Sequence, residues 1–391
     1  MQADDFRASP LGRLVPISGT DARTKRTYNH YAFVPNPLPV TVDLHAATYK
    51  AISEADRALG ALDARIGLLP NPNLLVSPAL AREAQSTSAL EGTYAPYADV
   101  LEAQFVDGKE STAELREVQN YVRAARRGLE LIRNLPICLR VLAELQAILV
   151  QGTRGDAYDA GRLRERYVCI GDRGRGIEQS RFVPPPPGDE LVKGVSEWEK
   201  WVNFDHEMSL LVKIALAHYQ FETLHPFSDG NGRIGRLAIT LQLIEQGVLK
   251  YPILNLSPWF EPRREDYIDH LLKVSKTGDF DPWVRFFSEA VKARADAAGD
   301  TILQLIEFAD EVAETVKDRG MRGAVLDLVP NIIGYPVMTV SRVAADLGVT
   351  YPTANNAVAR LVELGYLREV TGERYARLYR CDRVYDILSE S

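Results

Sequence analysis

Twelve consecutive residues, His225-Pro226-Phe227-Ser228-Asp229-Gly230-Asn231-Gly232-Arg233-Ile234-Gly235-Arg236, bring together a base, a carboxylate, glycines and two guanidinium groups. A largely apolar helical stretch, Met208 to Leu224, precedes them, and another, Leu237 to Val248, follows. A loop that opens a helix with Gly-Asn-Gly is an anion site, because unpaired backbone N–H groups and the helix dipole point at the ligand. Arg233 and Arg236 are three apart and share one face of the first turns. Two guanidinium forks there grip a polyphosphate. Asp229 is a hard oxygen ligand suited to Mg²⁺ beside phosphates. His225 is the group whose ordinary pKa suits a general base near neutrality. The set reads as phosphoryl or nucleotidyl transfer.

The loop resembles the motif of the Fic family, H-x-F-x-(D/E)-G-N-G-R-x-x-R, and matches every specified position. The likeness extends outside it. Gly161-Arg162-Leu163-Arg164, Val168-Cys169-Ile170-Gly171 and Phe182-Val183 with the prolines 184–187 look like the strand pair called the flap. His218 to Thr223 looks like the end of the family's central helix, so the resemblance covers most of residues 30 to 295. It implies that His225 deprotonates a target hydroxyl and that Asp229 holds Mg²⁺ between the α- and β-phosphates of ATP. It makes Gly230, Asn231 and Gly232 the anion hole. Arg233 takes the α/β-phosphates, Arg236 takes the γ-phosphate, and Phe227 fixes the loop from the core. The implied reaction is transfer of AMP to a Ser, Thr or Tyr hydroxyl with release of pyrophosphate. A kinase-like branch of the family has Lys at the position of Gly232, so Gly232 favours adenylyl transfer.

A second motif lies upstream. Residues 77 to 91 look like a helix, with Ser77 as cap, Pro78 in the first turn and Gly92 at the end. Glu91 in the last turn opposes the helix dipole by about 0.3–1 kcal/mol and calls for a cation. Thr87 lies four residues earlier on the same face. Thr87-Ser88-Ala89-Leu90-Glu91-Gly92 resembles the Fic inhibitory motif (S/T)-x-x-x-E-(G/N), which implies that Glu91 pairs with Arg236 and spoils the productive pose of ATP.

The elements that must position these residues are mostly α-helical. The expected class is a Fic helical core with a β-hairpin flap and a C-terminal winged helix-turn-helix domain. The expected divisions are 1–110 (N-terminal region with the inhibitory helix 77–91), 111–318 (catalytic domain) and 319–391 (winged helix). Residues 1 to about 30 read as a loosely ordered arm. Helical patterns run over 42–65, 77–91, 95–106, 110–133, 136–151, 188–203, 206–224, 231–247, 262–275 and 281–317. Backbone pairing with an extended target is expected along the flap, with Ile177, Phe182 and Val183 as docking residues. Tyr267 is either an aromatic neighbour of adenine or a core residue of its helix.

The chain has 391 residues, 46% hydrophobic, with a net charge of −7, so no global basic field recruits nucleic acid. In the presumed recognition helix Arg360 stands beside Asn355 and Asn356, and the wing arginines, Arg374 among them, are balanced by acids. DNA binding by this domain therefore ranks below target docking or self-association. Cys138, Cys169 and Cys381 lack metal spacing and suit a reducing cytoplasm. Neither a signal peptide nor a membrane span is expected. The expected partners are a protein with a hydroxyl side chain, the chain itself included, and a second copy as a homodimer. Two alternatives stand beside the transferase: a nucleotide-sensing transcription regulator, and removal of AMP from a modified hydroxyl by the same residues.

Overall fold

A computed structural model describes residues 1–21, 25–103, 112–157, 159–171, 176–372 and 377–390. The segment expected to be a loose arm is instead a hairpin. β1 (Gly12–Thr20) pairs antiparallel with β2 (Thr27–Pro35), with Leu14 opposite Phe33. Both runs are rich in β-branched and aromatic residues, which suit a half-buried pleated surface. Ile17, Tyr28, Ala32 and Phe33 are buried with Phe6, Ile177, Phe182 and Val183. The rings of Phe6, Phe33 and Phe182 lie 5.5 to 5.9 Å apart.

The helical body contains α1 (Ala46–Ile66), α2 (Val76–Leu90), α3 (Tyr97–Glu102), α4 (Ala113–Leu131), α5 (Leu139–Val150) and α6 (Asp189–Asn203). It continues with α7 (Leu210–Leu224), α8 (Asn231–Glu245), α9 (Ser257–Phe260), α10 (Arg264–Thr277) and α11 (Asp281–Asp318). α3 is shorter than expected, and the rest of that expectation, residues 104–106, lies outside the described residues. α7 and α8 pack together at the centre and are buried on nearly all faces. α1 lies along α11, and α2 is wedged among α4, α8 and α9. The small side chains of Ala81, Ala84, Ser86, Ser88 and Ala89 are buried there and permit that close approach.

Ser77 does not cap α2. The helix runs straight out of a 3₁₀ turn over Pro72–Leu75, and the Ser77 hydroxyl accepts a bond from Arg126 Nη2 at 2.9 Å. The expected flap strands reduce, among the described residues, to one antiparallel bridge between Ile170 and Phe182. Ile177–Gln179 is a 3₁₀ turn, and the prolines that follow Val183 have no N–H with which to extend a ladder. Instead Val183 gives its carbonyl to Phe33 N at 2.9 Å, so β2 occupies that edge.

α11 ends at Gly320 (φ 69°), where Met321 N reaches the Val316 carbonyl at 3.1 Å. Beyond it come α12 (Ala324–Gly334), β3 (Val337–Thr339), α13 (Val340–Leu347), α14 (Tyr351–Glu363), β4 (Arg368–Glu369), β5 (Leu378–Arg380) and α15 (Asp382–Glu390). The three strands form an antiparallel sheet with β5 in the middle. This unit shares its core with the rest of the molecule. α12 packs on α2 and α11, a β-carbon on Gly334 would overlap Leu74, and Tyr366 Oη donates to Thr315 Oγ1 at 3.0 Å. Cys138, Cys169 and Cys381 form no disulfide with one another. Among the described residues no helix is long and apolar enough to cross a membrane.

Candidate functional site

α7 stops at His225, which takes the left-handed conformation (φ 48°, ψ 61°). Pro226 follows, and a residue before proline is already disfavoured in the α region. A non-glycine residue held there stores about 1–3 kcal/mol of strain, so the surroundings must impose it. Arg164 does so. Its Nε donates to the His225 carbonyl at 2.8 Å and its backbone N to the Pro226 carbonyl at 2.9 Å. In the sequence Arg164 belongs only to the flap pattern, and nothing there sets it apart from its charged neighbours Arg162, Glu165 and Arg166.

The loop then closes on itself. Asn231 Oδ1 accepts from Phe227 N at 2.8 Å, and Asn231 Nδ2 donates to the Phe227 carbonyl at 2.7 Å. Asn231 therefore serves the expected anion hole only through its backbone, since its amide is used to shape the loop. Phe227 is fully buried, as expected. Gly230 takes φ 83° at the start of α8, and no side chain caps that start, so the first N–H groups of α8 remain available to a ligand.

The charged residues sort into two groups. Arg233 lies between Glu117 Oε2 at 3.0 Å and Asp229 Oδ1 at 3.3 Å. Asp229 Oδ1 also accepts from Gly230 N at 2.7 Å. Arg236 is turned toward α2: Nε donates to Thr87 Oγ1 at 2.7 Å, and Nη2 to the Thr87 carbonyl at 3.1 Å and to Glu91 Oε1 at 2.7 Å. Its side chain is 2% exposed, against 38% for Glu91. Gly92 closes the helix with φ 81°. Thr87, Glu91 and Arg236 thus meet as the sequence led one to expect.

A cleft open to solvent lies above this group. One side is polar, with Glu91, Glu222, His225 and Arg236; the other is apolar, with Ile170, Phe182, Leu271 and Leu272. Tyr267 is a core residue that also lines the cleft: it is buried, stacks on Phe260 at 4.8 Å and meets His218 Nε2 through its hydroxyl at 2.7 Å. Phe182 lines the cleft as well. Ile177 and Val183 do not. Both are buried under β2, and Ile177 N is bonded to Asp21 Oδ2 at 3.0 Å, so neither presents a free side chain to a docking partner.

Burial, helped by the Arg164 cation, pushes the His225 imidazole down to about 4, so it is neutral at pH 7 and free to accept a proton. Burial pushes the Glu222 carboxyl up to about 8, with the Glu91 charge adding to it and Arg236 opposing. Burial would also raise Glu91, but the Arg236 guanidinium beside it wins and holds it below the usual carboxylate range. Glu222 was not singled out from sequence. Its Oε1 is buried without a hydrogen-bond partner, and a β-carbon on Gly235 would overlap it.

A neutral imidazole on a strained helix end, an uncapped glycine-rich helix start and two buried arginines make a cleft that can receive an anionic ligand on a helical scaffold. The model of the Fic/DOC family N-terminal region matches residues 49–130 and that of the Fic/DOC family residues 136–243, so the chain carries both Fic regions over these stretches. It is 32% identical over 213 residues to the protein adenylyltransferase Fic of Drosophila virilis, a match covering 52% of this chain and 39% of that protein. Its match to the protein adenylyltransferase Fic of Drosophila ananassae is 31% over 222 residues, or 54% and 40% of the two chains. The chain thus spans about two fifths of the length of these curated relatives. The crystal structure of a Fic family protein from Desulfovibrio desulfuricans G20 aligns with a TM-score of 0.56 at 21% identity, over 88% of this chain and 98% of that one. At that identity the likeness is one of fold.

Proposed function

We propose that the chain transfers AMP from ATP to a Ser, Thr or Tyr hydroxyl of a protein, releasing pyrophosphate, and that Glu91 holds it inactive. One observation carries the reading: Arg236, the cation expected to bind the γ-phosphate, is engaged by Thr87 and Glu91 in the same cleft that holds a neutral His225. The apolar wall suits the adenine ring. The uncapped start of α8 and Arg233 suit the α- and β-phosphates. His225 takes the hydroxyl proton as the target oxygen bonds to the α-phosphorus and the bond to the β-phosphate oxygen breaks. General-base assistance of this kind is worth roughly 10²–10⁴-fold.

Asp229 fits a Mg²⁺ bound with the nucleotide. Among the described residues its Oδ2 carries no hydrogen bond, and Gly155 keeps that side open, since a β-carbon there would stand 2.8 Å from Oδ2. No group of three or more described His, Cys, Asp or Glu residues could hold a metal alone, so nucleotide phosphates would supply the remaining ligands, as Mg²⁺ sites commonly require. The ion would neutralise phosphate charge and orient the α-phosphorus.

Residues 319–391 have the helix, strand and sheet order of a winged helix-turn-helix module. Four of its arginines pair with acids: Arg342 with Asp346 at 2.8 Å, Arg360 with Glu363 at 2.8 Å, and Arg368 and Arg380 with Asp382 at 2.9 and 2.6 Å. Arg374 lies outside the described residues. The pairing favours a docking role over DNA reading. The partly exposed Glu91 carboxylate in the cleft also suits positioning of a water molecule, which favours AMP removal as a second activity of the same site. Incubation with ATP labelled on the α-phosphate, against ATP labelled on the γ-phosphate, tests the main reading. Glu91→Gly should raise α-label on protein, itself included. Label from the γ-phosphate, or none in either protein, would sink it.

A further inference from the structure

We propose that Arg164 is a positioning residue for the transfer, holding the backbone that carries His225 and tying that backbone to the flap. This rests on the reading of His225 as the base. Arg164 is 2% exposed. Among the described residues it makes no ion pair; instead its guanidinium gathers carbonyl oxygens. Nε donates to His225 at 2.8 Å, Nη1 to Arg166 at 3.1 Å, and Nη2 to Pro185 at 2.7 Å and Leu224 at 3.3 Å. Those acceptors belong to three segments: the end of α7 with the motif loop, the flap exit, and the run that leads into the flap. A planar fork with five donors can serve all of them at once, and an ammonium cannot.

The placement has a physical logic. A buried cation without an anion is costly, and here the negative end of the α7 dipole takes the place of a counter-ion. The same contact caps the last carbonyls of α7, which would otherwise be orphaned beside a proline. It also fixes His225 in a conformation that a non-glycine residue does not choose. Pro185 stands two residues beyond Val183, so one side chain sets the distance between flap and base. The charged and titratable groups that act on the imidazole or share its cleft, besides Arg164, are Glu91 at the end of α2, Asp229 in the loop, Arg181 from the flap, Glu222 from α7, Arg236 from α8, and Arg264 and Tyr267 from α10. Among the side-chain charges acting on its proton affinity, Arg164 is the one that lowers it, while Glu91 and Asp229 raise it.

The test uses the full chain with Glu91→Gly as parent and compares Arg164→Lys and Arg164→Met. The readouts are the His225 imidazole titration by NMR (assigned by its loss in His225→Ala), the Kd for ATP, and kcat for transfer against pH. Arg164→Met should raise the His225 midpoint by about one pH unit or more, move the acid limb of kcat upward with it, and leave the Kd for ATP within about threefold. Arg164→Lys keeps the charge, so the midpoint stays, while kcat falls about tenfold because the loop is less well held. Should the methionine variant fail to fold, the lysine variant decides alone: a lowered kcat at parental midpoint and Kd supports the proposal. A lysine variant with parental kcat and parental His225 resonances overturns it. So does a folded methionine variant whose midpoint and acid limb do not move. A parent that transfers nothing would sink the adenylylation reading instead, and the His225 titration would still judge Arg164.

Discussion

Gly232 makes room for Glu91. A β-carbon at residue 232 would overlap Glu91 Oε1 and stand 3.0 Å from Arg236 Nη1. A side chain there would compete with the Glu91 carboxylate for space, and with the proposed approach of a phosphate to α8.

This relationship predicts a coupled pair of substitutions. Gly232→Ala should destabilise the chain by about 1–3 kcal/mol through overpacking. Glu91→Gly should remove most of that penalty, because the clash disappears with the carboxylate. Denaturant midpoints of the two single variants and the double variant measure the coupling. A value within about 0.5 kcal/mol of zero would mean that the two residues do not compete for one space.

Arg236→Ala should weaken ATP binding and also free Glu91. Its effects and those of Glu91→Gly run through one ion pair, so they should be strongly non-additive. Calorimetric Kd values for ATP are the measurement. Glu91→Gly should tighten binding when Arg236 is present and change it little when Arg236 is absent. Equal gains in both backgrounds would separate the two side chains.

His225 has a folded pKa lowered to about 4 from an ordinary 6.5. Between those values the unfolded chain binds more protons, so stability falls as pH drops through that window. The neutral base persists through the same window, so transfer by the Glu91→Gly chain should hold steady down to about pH 5 and decline below it. His225→Ala should flatten the stability profile there while abolishing transfer and sparing ATP binding. A transfer rate that already halves near pH 6.5 would contradict the lowered value.

Glu222 has the opposite sign. Its folded pKa is raised to about 8 from 4.5, so between those values the folded chain holds the extra proton and stability falls as pH rises. Glu222→Gln, a mimic of the protonated form, should show a higher urea midpoint than wild type at pH 8 and a similar one at pH 4.5. Parallel profiles for the two proteins would show that the carboxyl is already ionised at neutral pH.

Ending the chain after Arg319 should do more than remove a docking module. α12 covers α2, so truncation uncovers apolar surface around Leu74 and Leu75 and loosens the helix that carries Glu91. The shortened chain should melt several degrees lower and label itself more strongly with ATP. The full chain should show no sub-micromolar binding to random duplex DNA at physiological salt, since Arg342, Arg360, Arg368 and Arg380 are each paired with a carboxylate. Tight binding that weakens steeply with salt would restore the transcription-regulator alternative.

The site was legible in sequence where chemistry is local. Residues 225–236 are contiguous, so base, carboxylate, glycines and arginines arrive already spaced, and the helices around them follow from apolar periodicity. The pairing of Glu91 with Arg236 was legible only through motif resemblance, because no periodicity links residues so far apart. The hairpin of residues 12–35 was missed although Thr27, Tyr28, Tyr31 and Phe33 are strand formers, since they show no clean period of two and polar residues separate them.

What the sequence by itself determined is the inventory: a histidine at a helix end, a glycine-rich helix start with two arginines, and a carboxylate at the end of another helix. The tertiary structure decided how those groups are held. Arg164 reaches its carbonyl acceptors, Glu222 loses water and keeps its proton, and β2 occupies the Val183 edge of the flap only after distant segments pack together. Burial and convergence depend on which surfaces meet, and the hydrogen bonds and proton affinities they create belong to no single stretch of chain.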